Sequence, residues 1–330
     1  MNVSMMSRIY GGAKLVIGWL GVRSDTSDLA IDTIHMWKQQ GGLLKSRGDD
    51  DIDDILLQIS ENTSLLSPEI AEAIVQLFER VWWYRQWISQ EIILAEDILI
   101  FCGEKTISWT DVLGAHEVWS TLREPDYAGH LETWQQLWLG VMVSGIFELF
   151  EQLRALRAAG DTILLDHLLP TFRGFQASDP RDKVFALLGF ASDDSKPSPD
   201  YRLSARELYL RYATTELRNS HDVNILRHCF FNEKSFQDGI PSWVPDWSNS
   251  DIPASLSKTM YNCVETEFDM CQYSISDDLH MLRIPGTVVT KVARSVPASS
   301  PPPPQHLFPL PPFFHPSALQ RRRNPRSGNH

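Results

Sequence analysis

The chain has 330 residues, 43% of them hydrophobic, and 11 tryptophans, so it can bury a substantial core in one large domain or two ordinary ones. Its formal net charge is −12, and residues 297–330 carry four arginines and no acid, so the excess negative charge lies in residues 1–296. This balance argues against an extended phosphate-binding surface, so we expect no nucleic-acid partner. A small nucleotide in a local pocket is still compatible with it.

The four cysteines are widely spaced and form no CxxC pair, so we expect free thiols and no metal site. No apolar run approaches the roughly 20 residues that span a bilayer, so we expect no membrane segment. The apolar run Leu15–Leu20 follows two basic residues, but no small-residue cleavage site comes after it, and a buried strand explains it better than a signal peptide. The sequence therefore predicts a cytoplasmic protein.

The first part of the chain alternates between helical and strand patterns, which is typical of an open parallel sheet covered by helices. The predicted elements are, in chain order, a short helix Met1–Ala13, a central parallel strand Leu15–Leu20, a helix Thr26–Gln40 stopped by Gly41-Gly42, a helix that starts at Ser67-Pro68-Glu69, and a second buried strand Ile98–Cys102.

The stretch Trp82–Glu91, WWYRQWISQE, is the most distinctive part of the sequence. If this stretch is one helix, each residue turns about 100° around its axis. One arc of the helix then carries four residues: Trp83, Trp87, Gln90 and Glu91. Trp82 lies on another side. A tryptophan-rich face is expected to be buried, and a buried carboxylate must be hydrogen-bonded or face a cleft. Glu91 is therefore either a satisfied structural acid or a cleft acid placed for chemistry. Arg80 and Arg85 would pair with neighbouring acids or meet a ligand phosphate.

After Trp109 the pattern is mainly helical, with helices predicted over Asp111–Leu122 and from about Leu131 to Ala159. Asp179-Pro180 is a typical helix start, and Ser204–Glu207 is a capping box. We interpret these acids as structural.

Extended structure is predicted from Pro241 onward, because PSWVPDWS holds two prolines and cannot lie inside a helix. Residues 268–293 alternate in the manner of a β-hairpin that turns near Asp277-Asp278. The last 34 residues contain 10 of the 20 prolines, which predicts a disordered tail at 297–330.

The tryptophan block resembles the signature of the fungal heterokaryon incompatibility (HET) domain. The residues that carry the likeness are Arg80, Trp82, Arg85, Trp87, Gln90 and Glu91. Other blocks resemble the family in the same order: Met6–Leu20, Asp179–Phe190, Asp200-Tyr201 and Pro241–Ser248. The resemblance covers about residues 3 to 293. The opening strands of the family would precede Met1, so we expect a chain truncated at the front of the domain.

This resemblance implies a partial TIR-like (flavodoxin-like) parallel α/β sheet with helices, followed by a mainly helical region and a small β-hairpin. We accordingly divide the chain into the C-terminal portion of a HET domain at 1–110, a helical extension with a terminal hairpin at 111–296, and the tail at 297–330. The family implies a role in fungal self/non-self recognition and programmed cell death. The implied partners are further copies of the chain or other incompatibility proteins.

A more specific implication concerns NAD. Some TIR domains, to which the HET domain is distantly similar, cleave the nicotinamide–ribose bond with a glutamate that lies four residues after a tryptophan. Trp87 and Glu91 have that spacing. The resemblance thus implies Glu91 as the catalytic residue, with Trp87, Arg85 and Gln90 binding substrate, NAD as the substrate and no separate cofactor. The alternatives are a non-catalytic signalling and assembly module, or an inactive gene fragment.

Overall fold

The computed structural model describes residues 3–46, 67–122, 146–192, 196–220, 223–230, 233–250 and 273–284. The expectations for 131–145 and for the proline-rich tail at 297–330 fall outside these ranges. The described residues of Met1–Ala159 and Phe175–Ser178 form one compact unit, and those of Gly160–Gly174 and Asp179–Pro301 form a second. No helix in the described ranges is long and apolar enough to cross a membrane.

The first unit contains a small sheet and several helices. Its elements are α1 (Val3–Gly12), β1 (Leu15–Trp19), α2 (Ser27–Ser46), α3 (Pro68–Phe78), a 3-10 helix (Val81–Tyr84), α4 (Ile88–Ile93), β2 (Asp97–Cys102), β3 (Lys105–Ser108), α5 (Trp109–Leu122) and α6 (Ile146–Ala159). The mixed α/β class predicted from the sequence is confirmed, with a helical remainder and a small hairpin.

The three strands form a mixed sheet in the order β1-β2-β3. β1 runs parallel to β2, with Ile17 opposite Leu99, and β3 returns antiparallel to β2, with Ile107 opposite Ile100. The two predicted strands are therefore correct, and β3 is an addition. The expectation that Leu15–Leu20 is a central strand is wrong for the described sheet, because β1 lies at its edge.

Helices cover one face of this sheet. That face carries Val16, Ile98, Ile100 and Ile107, all buried, and α4 and α5 contact the strands. At Gly18 the approach is so close that an added Cβ would lie 2.7 Å from a ring carbon of Trp82. Gly18 is therefore required for the tryptophan to pack under β1.

The opposite face of the sheet is open among the residues that the structure describes. Leu15, Ile17 and Trp19 alternate with the buried residues of β1 and are 48%, 61% and 55% exposed. Their neighbours across the register, Leu99 and Phe101 of β2, are only half-buried. A parallel strand pair is normally apolar and covered on both faces, so this surface is unusual for the fold.

Two predicted helix boundaries have different outcomes. α3 begins as expected: Ser67 is the N-cap, its hydroxyl accepts from the Ile70 amide at 3.4 Å, and Pro68 occupies the first turn. α2, by contrast, continues to Ser46 through Gly41-Gly42, so the predicted stop is wrong. α2 packs against α3 and α5, and this tertiary packing outweighs the roughly 1 kcal/mol that each interior glycine costs a helix.

The second unit is mostly helical. Its elements are α7 (Leu165–Thr171), α8 (Asp182–Phe185), α9 (Ala205–Ser220), a 3-10 helix (Asn224–His228), α10 (Glu233–Gln237), and the hairpin strands β4 (Ser274–Ile275) and β5 (Leu282–Arg283). The capping box is confirmed, because the Ser204 amide donates to Glu207 at 2.8 Å and the Glu207 amide donates to the Ser204 hydroxyl at 3.2 Å. The predicted hairpin is confirmed by the antiparallel pairing of β4 with β5.

Candidate functional site

The segment Trp82–Glu91 is not one helix, which corrects the sequence-based prediction. The 3-10 helix ends at Tyr84, Arg85 is extended at φ −72° and ψ 134°, and α4 begins after Trp87. The break has a tertiary cause: Arg85 forms a parallel bridge with Gln176, whose carbonyl accepts from the Gln86 amide at 2.7 Å. Extended pairing replaces the helical turn because it satisfies these backbone groups directly.

Glu91 lies on α4, all six residues of which are buried, and is itself 7% exposed. Its carboxylate accepts hydrogen bonds from two side chains. The Trp82 indole Nε1–H donates to Oε2 at 3.0 Å, and the hydroxyl of Tyr10, on α1, donates as well. Both partners come from other elements, so Glu91 joins α1, the 3-10 helix and α4.

Burial is the main influence on the acidity of Glu91 and raises the pKa of its carboxyl above the usual range. The positive charge of Arg85 and the hydrogen bonds from Trp82 and Tyr10 act in the opposite direction but do not overcome it. Burial and the nearby Glu91 charge raise the pKa of Tyr10 in turn. The site thus holds a proton more tightly than an exposed glutamate would.

The other three predicted site residues, Arg85, Trp87 and Gln90, differ in how far they are buried. Arg85 is exposed and acts on Glu91 through its charge. Trp87 is half-buried at the N-cap of α4, and Gln90 is completely buried. The assumed helical arc is therefore not the arrangement of the site.

Sequence reasoning missed the two direct partners of Glu91. Trp82 was assigned to another side of the presumed helix, and its nine-residue separation from Glu91 matches no helical period. Tyr10 lies on a different element, and no local pattern connects it to the acid. A tryptophan with a buried indole N–H needs an acceptor, which is the only sequence signal that pointed toward such a pair.

Arg80 binds the loop after β1 and not a neighbouring acid. Its guanidinium donates to the Leu20 and Val22 carbonyls at 3.0 and 2.8 Å and to the Ser24 hydroxyl at 3.1 Å. It therefore holds the loop that follows β1, and none of these three contacts is to an acid. This is a structural role.

The second unit contains another buried charge, Arg173, which is 3% exposed. Its Nε, Nη1 and Nη2 groups donate to the carbonyls of Asn249, His228 and Asp246 at 2.8, 2.9 and 2.7 Å. Lys183 donates in turn to the Arg173 carbonyl at 2.8 Å. Each of the three nitrogens of Arg173 thus donates to a backbone carbonyl, so this cluster stabilises the unit.

Two acids of the second unit, Asp179 and Asp246, make structural contacts. Asp179 accepts from the Arg181 amide at 3.0 Å and pairs with its guanidinium at 2.6 Å. Asp246 accepts from the amide and hydroxyl of Ser248 at 2.9 and 2.6 Å and also from Ser235. These contacts are caps and turn bonds.

Comparison with known proteins agrees with the likeness carried by the tryptophan block. Residues 1–91 match the model of the family described as heterokaryon incompatibility protein (HET). The chain is also 25% identical over 289 residues to heterokaryon incompatibility protein 6, OR allele, from Neurospora crassa. That alignment covers 75% of this chain and 42% of the relative, so the chain spans less than half the length of the protein it matches. No solved structure matches it significantly.

Proposed function

We propose that this chain, whose residues 1–91 match the HET family, is a cytoplasmic self/non-self recognition protein of the heterokaryon incompatibility type that promotes cell death by cleaving NAD at the nicotinamide–ribose bond. The buried acid Glu91 carries the proposal, since a raised pKa and two oriented side-chain donors are typical of functional carboxyl groups. The TIR-like relationship is part of the same proposal.

The proposed reaction is a hydrolysis. The bond between nicotinamide and ribose C1′ breaks, nicotinamide leaves with the bonding electron pair, and water bonds to C1′ and releases a proton to give ADP-ribose. Positive charge develops on the ribose as nicotinamide departs, and the Glu91 carboxylate would stabilise it. The half-buried Trp87 supplies an apolar wall one turn away, and Arg85 supplies a positive charge for a phosphate.

Access is the physical requirement of this mechanism. Glu91 is 7% exposed, so a substrate reaches the carboxylate only if covering side chains move. Tyr10 is the partly exposed member of the network and sits on the short helix α1. Movement of α1 would remove one hydrogen bond and leave the Trp82 bond in place.

Purified protein incubated with NAD tests the proposal, with nicotinamide release measured by chromatography. We expect release by the wild type and at least a hundredfold slower release by Glu91→Gln, which keeps the shape of the side chain but not its charge. Glu96→Gln is the matched control, because Glu96 lies five residues on and its side chain is exposed. Equal rates for Glu91→Gln and wild type would refute the role of Glu91.

The second candidate function is a non-catalytic signalling and assembly module. The open apolar face of the sheet favours it, since such surfaces mark interaction sites. Glu91 is then a structural acid that joins α1 to α4. Folded wild-type protein that leaves NAD intact at high concentration, while Glu91→Gln lowers the unfolding midpoint, would favour this function over the first.

A further inference from the structure

The second unit contains an open cavity of about 290 Å³ beside the helix α9. One wall is a single side of this helix, because its lining residues Leu208, Arg211, Tyr212 and Thr215 are spaced i, i+3, i+4 and i+7. The other wall is the loop 197–203, which leads into α9. The cavity is thus lined by residues of the second unit alone, whereas Glu91 belongs to the first.

Hydrogen bonds hold the loop wall in place. Arg181 donates through Nη1 to the carbonyls of Tyr201 and Leu203 at 2.5 and 3.0 Å. The Asp200 carboxylate accepts from the Arg202 amide at 3.0 Å and from its guanidinium at 2.9 Å. The loop therefore keeps its position without a ligand, and such preformed cavities are usual for small-molecule sites.

The inner part of the cavity is apolar. Leu208 and Tyr212 are 1% and 2% exposed and lie at its base, and Pro197 and Leu203 are half-buried in the loop wall. Its volume lies at the lower end of the roughly 300–1,000 Å³ typical of small-molecule pockets. We therefore expect a ligand with one ring and a short substituent, and not a dinucleotide such as NAD.

Arg211 supplies a positive charge to the cavity. Its side chain is exposed, and among the residues that the structure describes its guanidinium makes no hydrogen bond or ion pair. The two acids that it influences through space already have other partners: Asp200 is bound by Arg202, and Glu207 is bound by Ser204. A guanidinium with its donors available favours an anionic ligand, and its planar fork matches a carboxylate.

The other polar groups of the cavity define the anion further. Thr215 lies one helical turn after Arg211, and Ser198 lines the loop wall, so two hydroxyl groups can donate to the same ligand. Hydrogen bonds from Arg202 lower the pKa of Asp200 to about 2, so this carboxyl is ionised at neutral pH. Its negative charge repels a phosphate dianion more strongly than a monoanion.

We propose that this cavity binds a small aromatic monocarboxylate. The carboxylate pairs with the Arg211 guanidinium and accepts from the Thr215 hydroxyl, and the ring packs against Leu208 and Tyr212. One ring and one negative charge match the volume, the apolar base and the charge of the lining residues. The proposal concerns the second unit and does not depend on the chemistry at Glu91.

Fluorine NMR titration of the full chain with 4-fluorobenzoate tests the proposal. We expect line broadening of the ligand signal with a dissociation constant of about 1 mM, since a ligand with so few atoms binds weakly. Arg211→Gln should weaken binding at least tenfold. Arg218→Gln is the matched control, because it removes the same charge from an exposed position of α9 outside the cavity, and it should bind like wild type. Circular dichroism checks that both variants are folded.

Three further probes use wild-type protein alone and so do not depend on the folding of a variant. 4-Fluorobenzamide has the ring without the charge, and trifluoroacetate has the charge without the ring. Each should bind at least tenfold more weakly than 4-fluorobenzoate. The dianion 4-fluorophenyl phosphate should also bind more weakly, because Asp200 repels it.

Four outcomes overturn the proposal. The first is the absence of broadening with wild type, and the second is equal affinity of Arg211→Gln and Arg218→Gln. The third is binding of trifluoroacetate or 4-fluorobenzamide as tight as that of 4-fluorobenzoate, which would mean that charge and ring are not recognised together. The fourth is tighter binding of the phosphate, which would exclude the monocarboxylate.

Discussion

Glu91 in the first unit and Arg173 in the second are both buried charges, but they are satisfied in different ways. Arg173 donates to three backbone carbonyls, so the loops around it cannot move without leaving those groups unpaired. Glu91 accepts from the side chains of Trp82 and Tyr10, and the partly exposed Tyr10 side chain can turn aside without breaking any backbone hydrogen bond. A charge bound by backbone organises a fold, whereas one bound by side chains can be released for chemistry.

The largest expected effect concerns the backbone-bound charge. Arg173→Met leaves three carbonyls, one buried and two part-buried, without this donor and should lower the free energy of unfolding of the second unit by about 3–5 kcal/mol. Urea unfolding followed by circular dichroism measures the change. Arg206→Met, which removes a guanidinium bound to the single carbonyl of Gly239, is the control and should cost much less. A loss below about 1 kcal/mol for Arg173→Met would contradict the comparison.

The next prediction uses Lys183, which donates to the Arg173 carbonyl. Burial and the charge of Arg173 lower the pKa of Lys183 from 10.5 to about 8. Between these values the unfolded chain binds more protons than the folded one, so stability should rise with pH from about 8 to 10.5, by up to about 3 kcal/mol. Unfolding of wild type and Lys183→Met across this range gives the difference. An identical pH profile for both would show that Lys183 is not buried as described.

A smaller effect is expected where the side-chain network is cut. Trp82→Phe removes the indole donor to Glu91 and should cost about 2 kcal/mol, because that bond is to a charged group. It should also raise the pKa of Glu91 further, which NMR titration of the glutamate carboxyl detects. Trp83→Phe is the matched control: it removes a donor to the Leu77 carbonyl at 3.1 Å and should leave that pKa unchanged.

The smallest expected effect is the pH dependence that Glu91 itself confers. Its folded pKa lies above the usual 4.5, so the stability it contributes is complete below that value and is lost as pH rises through the folded pKa. Glu91→Gln should flatten this decline in thermal-melting series recorded upward from pH 4.5, with Glu96→Gln as the control. If the wild-type decline persists in Glu91→Gln, other acids cause it.

Local sequence signals predicted the fold elements well where the deciding residues are close together. The hydroxyl of Ser67 and the pair Ser204–Glu207 cap helices through contacts within three residues. The apolar runs of β1 and β2 were recognisable because strand burial follows a short period. The family likeness also rests on a contiguous block of sequence.

Local signals failed where a distant part of the chain supplies the competing interaction. Gln176 pairs with Arg85 and breaks the presumed helix, and helix packing carries α2 past Gly41-Gly42. Trp82, which helical spacing placed away from Glu91, became its donor once the helix was broken. The site could therefore be predicted as an acid among tryptophans, but not as the geometry that holds it.

By itself, the sequence determined that Glu91 sits in a tryptophan-rich, buried segment next to a parallel strand pair, because composition and short-range periodicity depend only on neighbouring residues. The tertiary structure alone decided that Tyr10 and Trp82 bind the carboxylate and that β1 lies at the edge of the described sheet. Hydrogen-bond partners and covered faces arise when elements far apart in the chain meet, and each buried polar group then takes the donor or acceptor that packing brings to it.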